Sequence, residues 1–190
     1  MSDTAVRTLG DVELPAPGVW EIDAGHTEVG FIGRHFGLTK VRGRFTGVTG
    51  FAVIADDPAE STLSVSIDMA TVTSGDQARD DHLRSPDFFD VENHPSAAFV
   101  AQRVLRRGAT ASVVGDLQIR DVTRSVTLDV EYLGHAADPW GNDRAVFSAS
   151  ATINREDWGL TWNMLLETGG FIVSKEIRLE IEAELIRRQP

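Results

Sequence analysis

Residues 74–95, SGDQARDDHLRSPDFFDVENHP, hold five aspartates, two histidines and a glutamate in a chain that elsewhere alternates apolar and polar residues. Carboxylates and imidazoles at this density bind a divalent cation when their ligand atoms converge at bond distance. The spacing argues against that here. Neither His-x-x-x-His nor His-Glu-x-x-His occurs around His82 and His94, and a proline and a Phe-Phe pair separate the two rings. Ser74 followed by Gln77 fits a capping box instead, and Pro86 stops the run, so the segment reads as a helix of ~two to three turns with a solvated acidic face. Leu83, Phe88 and Phe89 form an apolar trio beside it and are expected to act as a lid on whatever the helix covers. No metal ligand is assigned.

Other chemistry is as sparse. His26 and His35 have opposite parity along a strand, so they cannot share a ligand. His35 falls in register with Val29 and Phe31, which turns its ring inward as a satisfied interior histidine or a polar contact for a ligand head group. Asp23 with His26 ties a turn together. Asn154 reads as an N-cap with Glu156 and Asp157 in the first turn, not as part of an acid–base pair. Trp140, Trp158 and Trp162 read as core or rim packing. There is no Gly-x-Ser-x-Gly elbow, phosphate-cradling glycine loop or dinucleotide fingerprint, and no catalytic residue or cofactor is assigned.

The elements that must position these residues are strands. IRLEIEAEL places Ile177, Leu179, Ile181, Ala183 and Leu185 on one side and Arg178, Glu180, Glu182 and Glu184 on the other. A period of two describes a strand with one wet face; a helix would scatter the acids around its circumference. The same alternation recurs at Leu63–Met69 and Val126–Tyr132. It continues, more weakly, at Val29–His35, Phe45–Val53, Phe99–Ala101, Val113–Ile119 and Phe147–Ile153. With the lead strand GVWEID this predicts an all-β, extended antiparallel barrel of about eight strands with one or two short helices. Small inward residues such as Gly33, Gly43, Gly47, Gly115 and Ala149 are interspersed with aromatics. That mixture fits a hollow bore and equally a tapered, filled one.

A net charge of -11 with no basic run excludes nucleic acid as a partner, and the absence of cysteine excludes disulfides and thiolate chemistry. No apolar run reaches the ~18 residues of an integral membrane segment. Residues 1–18 lack a signal-peptide core and are expected to form a flexible N-terminal arm ahead of one domain over 19–190, which suggests a cytoplasmic, soluble protein.

Five stretches together, WEIDAGHTEVGFIGRHFGLTKVRGRF, DDHLRSPDFFDVENHP, GDLQIRDVTRSVTLDV, ATINREDWGL and VSKEIRLEIEAEL, resemble the YceI-like family of polyisoprenoid-binding, lipocalin-like proteins. The likeness runs from Val19 to Leu185. It implies a barrel with an internal tunnel for a long-chain isoprenoid or other amphiphilic lipid, held without a chemical step for carriage, storage or sequestration, and a homodimer as the assembly. Two positions depart from the pattern: Gly33 stands where relatives often carry a larger apolar residue, and His94 where they often carry an aromatic one. The expected tunnel walls are Phe31, Phe45, Phe51, Ile67, Met69, Phe99, Leu117, Phe147, Ile177 and Leu179, with His35 at the head group and Leu83, Phe88 and Phe89 as lid. Two other readings stay open: an isomerase or cyclase acting on a hydrophobic substrate in the barrel, and a filled barrel serving as a protein-interaction module.

Overall fold

The computed structural model describes residues 5–164 and 172–188. In chain order the strands are β1 (Val6–Leu9), β2 (Val12–Pro15), β3 (Gly18–Ile22), β4 (Glu28–His35), β5 (Thr39–Phe45), β6 (Val48–Ile54) and β7 (Thr62–Asp68). Helix α1 (Gln77–Arg84) follows, then β8 (Ser96–Arg107), β9 (Thr110–Ile119), β10 (Val122–Ala137), β11 (Asp143–Asn154) and β12 (Glu176–Arg187). Among the described residues, no helix is long and apolar enough to cross a membrane.

Alternation lets every second side chain leave water together, so a sheet of such strands buries its apolar face by closing on itself. Eight antiparallel strands do this here, in the order β3-β6-β7-β8-β9-β10-β11-β12, and the ring shuts where β12 pairs with β11 on one edge and β3 on the other. The β12 edge that carries β3 at Leu185↔Ile22 carries β4 further along at Leu179↔Phe31. Strands β4 and β5 thereby extend the wall beyond the turn at residues 23–27. That turn is tied as expected: the Asp23 carboxylate accepts from the Gly25 amide at 2.9 Å and lies 2.9 Å from His26 Nδ1.

Two expectations need correction. From Ala5 onward the N-terminal segment is a β1–β2 hairpin rather than a free arm. Ala5, Leu14 and Ala16 are buried, and the Arg7 guanidinium donates to the carbonyls of Ala55 and Asp56, each at 2.7 Å. The second correction is a parity switch between β5 and β6. Phe45 and Val48 both face inward, three positions apart, because Thr46 and Gly47 leave the ladder and donate their amides to Thr71 Oγ1 at 3.3 and 3.0 Å. A single odd step inverts the rest of the strand. Val48 and Ala52 are therefore core residues, whereas Phe51, expected in the tunnel wall, is 47% exposed on the outside.

Candidate functional site

The barrel is hollow. One chamber of about 250 Å³ lies beneath the β1–β2 hairpin, with Arg7, Leu14 and Pro15 at its end. A second, of about 310 Å³, lies beneath α1. Val29, Ile67, Leu117 and Leu179 line both, so the two meet at a waist. A larger cleft of about 990 Å³ lies on the outer wall, but its lining mixes Arg42, Arg44 and Arg178 with Glu28, Glu180 and Glu182, which suits water better than an apolar guest.

Of the residues expected in the wall, Phe99 and Phe147 line the hairpin-side chamber. Phe31, Phe45, Met69 and Ile177 line the helix-side chamber, and Ile67, Leu117 and Leu179 stand at the waist. His35 also faces the helix-side chamber, beside the Phe36 ring at 4.0 Å between centroids. Leu83, Phe88 and Phe89 close that chamber from the side of α1. Phe51 alone is left out.

The closing elements are fastened by polar contacts at their edges. Asp76, not Ser74, caps α1: its carboxylate accepts from the Arg79 amide at 2.9 Å. Ser74 is engaged elsewhere, donating its amide (2.7 Å) and its hydroxyl to the buried Asp80 carboxylate. Burial alone would raise the Asp80 pKa, but the Ser74 hydroxyl and amide, Thr73 and the Arg84 charge together hold it below the usual carboxylate value. Arg84 then ties the helix to the loop after β7, donating to the Val72 carbonyl at 2.7 Å and to the Ala70 carbonyl at 3.1 Å. At the rim, His82 stands edge-on to Phe88 and Trp162, with centroids 5.1 and 4.5 Å apart.

Two further site residues were not among those expected in the wall: Tyr132, which the Val126–Tyr132 alternation does turn inward, and Arg155, which lies on no strand. Tyr132 lines the hairpin-side chamber with its hydroxyl unpartnered, and burial, reinforced by the Glu13 charge, pushes its pKa up to about 12. Arg155 lines the helix-side chamber from a single 3₁₀ turn, Arg155–Trp158, capped by Asn154 as expected. It is only 4% exposed; Nε donates to the Ser174 carbonyl at 2.9 Å and Nη1 to the Leu160 carbonyl, but Nη2 has no partner. Burial lowers its pKa, opposed in part by Glu156. The Trp158 indole beside it donates to the Leu117 carbonyl at 3.0 Å and is core, whereas Trp140 is exposed.

Ligand atoms of Asp23, His26 and Glu184 lie close enough together for a cation. The Arg144 guanidinium already serves that cluster, 2.6 Å from Asp23 Oδ2 and 2.5 Å from Glu184 Oε1. Its hydrogen bond is the main reason the Asp23 pKa lies below normal.

A barrel of this shape recurs in known proteins. BcnA of Burkholderia cenocepacia superposes with a TM-score of 0.74 at 21% identity, over 86% of this chain and 98% of that one. A polyisoprenoid-binding domain from Saccharophagus degradans superposes with a TM-score of 0.70 at 14% identity, over 91% of this chain and all of the other (100%). In sequence, the UPF0312 protein plu2095 of Photorhabdus laumondii is 37% identical over 139 residues, 73% of this chain and 72% of its own. The YceI-like domain pattern matches residues 20–185, the strands of the closed ring, the lid helix and the turn that carries Arg155, and on that match the chain belongs to the YceI-like family.

Proposed function

We propose that the protein binds a long-chain isoprenoid or similar amphiphilic lipid in its bore and serves to carry, store or sequester it. The observation that carries this reading is the pair of chambers, walled by apolar side chains and meeting at the waist of Val29, Ile67, Leu117 and Leu179. A guest lying through both would bury hydrocarbon at ~0.8 kcal/mol per methylene, so a tail of moderate length outweighs the cost of ordering it. The solved relative that binds polyisoprenoid supports the ligand class. The chamber-lining residues named above are its proposed contacts, with Leu83, Phe88 and Phe89 as the lid. A filled barrel working as an interaction module has no support in so hollow an interior. Cytoplasmic residence and homodimer formation belong to the proposal, to be read by cell fractionation and light scattering.

The deciding experiment is native mass spectrometry of protein purified from its own host, followed by solvent extraction. A co-purifying lipid of one chain class is expected. Protein that is always empty, and takes up no isoprenoid when delipidated and reloaded, would overturn the reading.

A further inference from the structure

Among the described residues, three buried side-chain polar atoms lack a hydrogen-bond partner: Arg7 Nε, Tyr132 Oη and Arg155 Nη2. All three residues line the bore, Arg7 and Tyr132 at the hairpin side and Arg155 at the helix side. Buried polar groups are nearly always paired, so each orphan requires a reason. Arg155 is the most exacting of them because it is a charged group only 4% exposed, whereas Arg7, also a guanidinium, is half-buried.

Its surroundings answer that charge only in part, through the nearby Glu156. The Ser174 and Leu160 carbonyls accept two of its hydrogen bonds but supply no negative charge, and among the described residues no carboxylate pairs with it. The neighbouring Glu156 is held by Lys175 at 2.9 Å. Among the described residues, Arg34, Arg79, His35 and His82 stand around the same chamber, and no Asp or Glu lines it. In a chain of net charge -11, the described residues that wall this chamber around the enclosed Arg155 thus include cations but no carboxylate. Burying a guanidinium without a counter-ion is costly, and an anion that arrives with the ligand removes the cost.

Building on the lipid-binding reading above, we propose that Arg155 is the head-group anchor of the bore and that the ligand is an anionic amphiphile. A carboxylate or phosphate oxygen accepts from Nη2 in the helix-side chamber, and the tail runs through the waist toward Tyr132 and Leu14. The polarity is fixed by this contact: head under the lid, tail under the N-terminal hairpin.

The test uses delipidated full-length protein titrated with two matched pairs, geranylgeranyl monophosphate against geranylgeraniol and palmitic acid against hexadecanol. The anionic member of at least one pair is expected to bind about tenfold or more tighter than its alcohol, the range for a hydrogen bond to a charged group. Which pair shows the gap tells phosphate from carboxylate. Arg155→Met should abolish the gap, whereas Tyr132→Phe should preserve it. Should Arg155→Met fail to fold, side-chain nitrogen NMR of the wild-type protein replaces it: the Arg155 resonances should shift with the anion and stay put with the alcohol. Equal binding of acid and alcohol by the wild type, a gap that survives Arg155→Met, or a gap lost in Tyr132→Phe instead would each overturn the anchor while leaving lipid binding intact. Failure of all four compounds to bind would overturn both.

Discussion

Phe31 lies over Gly43 so closely that a Cβ built on the glycine would come within 2.2 Å of the ring's Cζ. Phe99 covers Gly115 in the same way, at 2.4 Å. The sequence left open whether such glycines hollow the bore or fit a filled one; each of these two is a seat for a cross-strand ring, and Gly33 likewise faces Ile177 Cδ1 at 3.3 Å. The hollow therefore comes from the ring of strands as a whole. Gly43→Ala should destabilise the protein by ~1–3 kcal/mol in urea unfolding, and by clearly less in a Phe31→Ala background, since the two residues contend for one volume. Tyr132→Phe should keep or raise stability, because it removes a buried hydroxyl that nothing satisfies; a thermal melt reads the result. Inward residues on unbroken strands were legible because side-chain parity is a local property. Arg155 was not legible, because its burial depends on residues 174 and 175 folding back over a 3₁₀ turn.

Helix α1 has only eight residues, too few to persist alone, so its stability comes from what it packs on and what fastens it. Asp80 is one fastener, and its folded pKa is depressed. Its contribution is fully present above the unfolded carboxyl value of ~3.9 and is lost as pH falls through the lower folded value. Protection of the amides in residues 77–84, taken relative to their intrinsic exchange rates, should accordingly fall below about pH 4, and Asp80→Asn should bring a similar loosening at neutral pH. The punctuation of this helix was readable only approximately. Its existence and its end before Pro86 were evident, but Ser74 and Asp76 are both good caps, and Asp80, six residues on within the helix itself, claimed the serine. The β5–β6 parity switch was hidden for a related reason. Thr46-Gly47 leaves the ladder to meet Thr71, a partner some 25 positions away.

At the scale of the molecule, closure into eight strands was legible because the period of two persists through long segments; β10 alone runs 16 residues. The N-terminal hairpin was hidden, since β1 and β2 have four residues each and gain their burial only against the finished barrel. The waist is the place to test whether the chambers act as one. Val29→Phe should narrow it and leave short tails bound while weakening C20 isoprenoids by about tenfold, roughly the burial of two methylenes; titration across a chain-length series measures this. Equal affinity for all lengths in both proteins would mean that guests occupy a single chamber.

The hairpin that lines one end of the bore has a consequence for cargo. If the hairpin stops an inserted tail, the bore behaves as a gauge. The tip of an inserted tail comes to rest near Leu14 and Pro15, and surplus length can only back up beneath α1. Overlong guests would then prop the helix ajar, so that a simple excess of carbons becomes a signal legible from outside the protein.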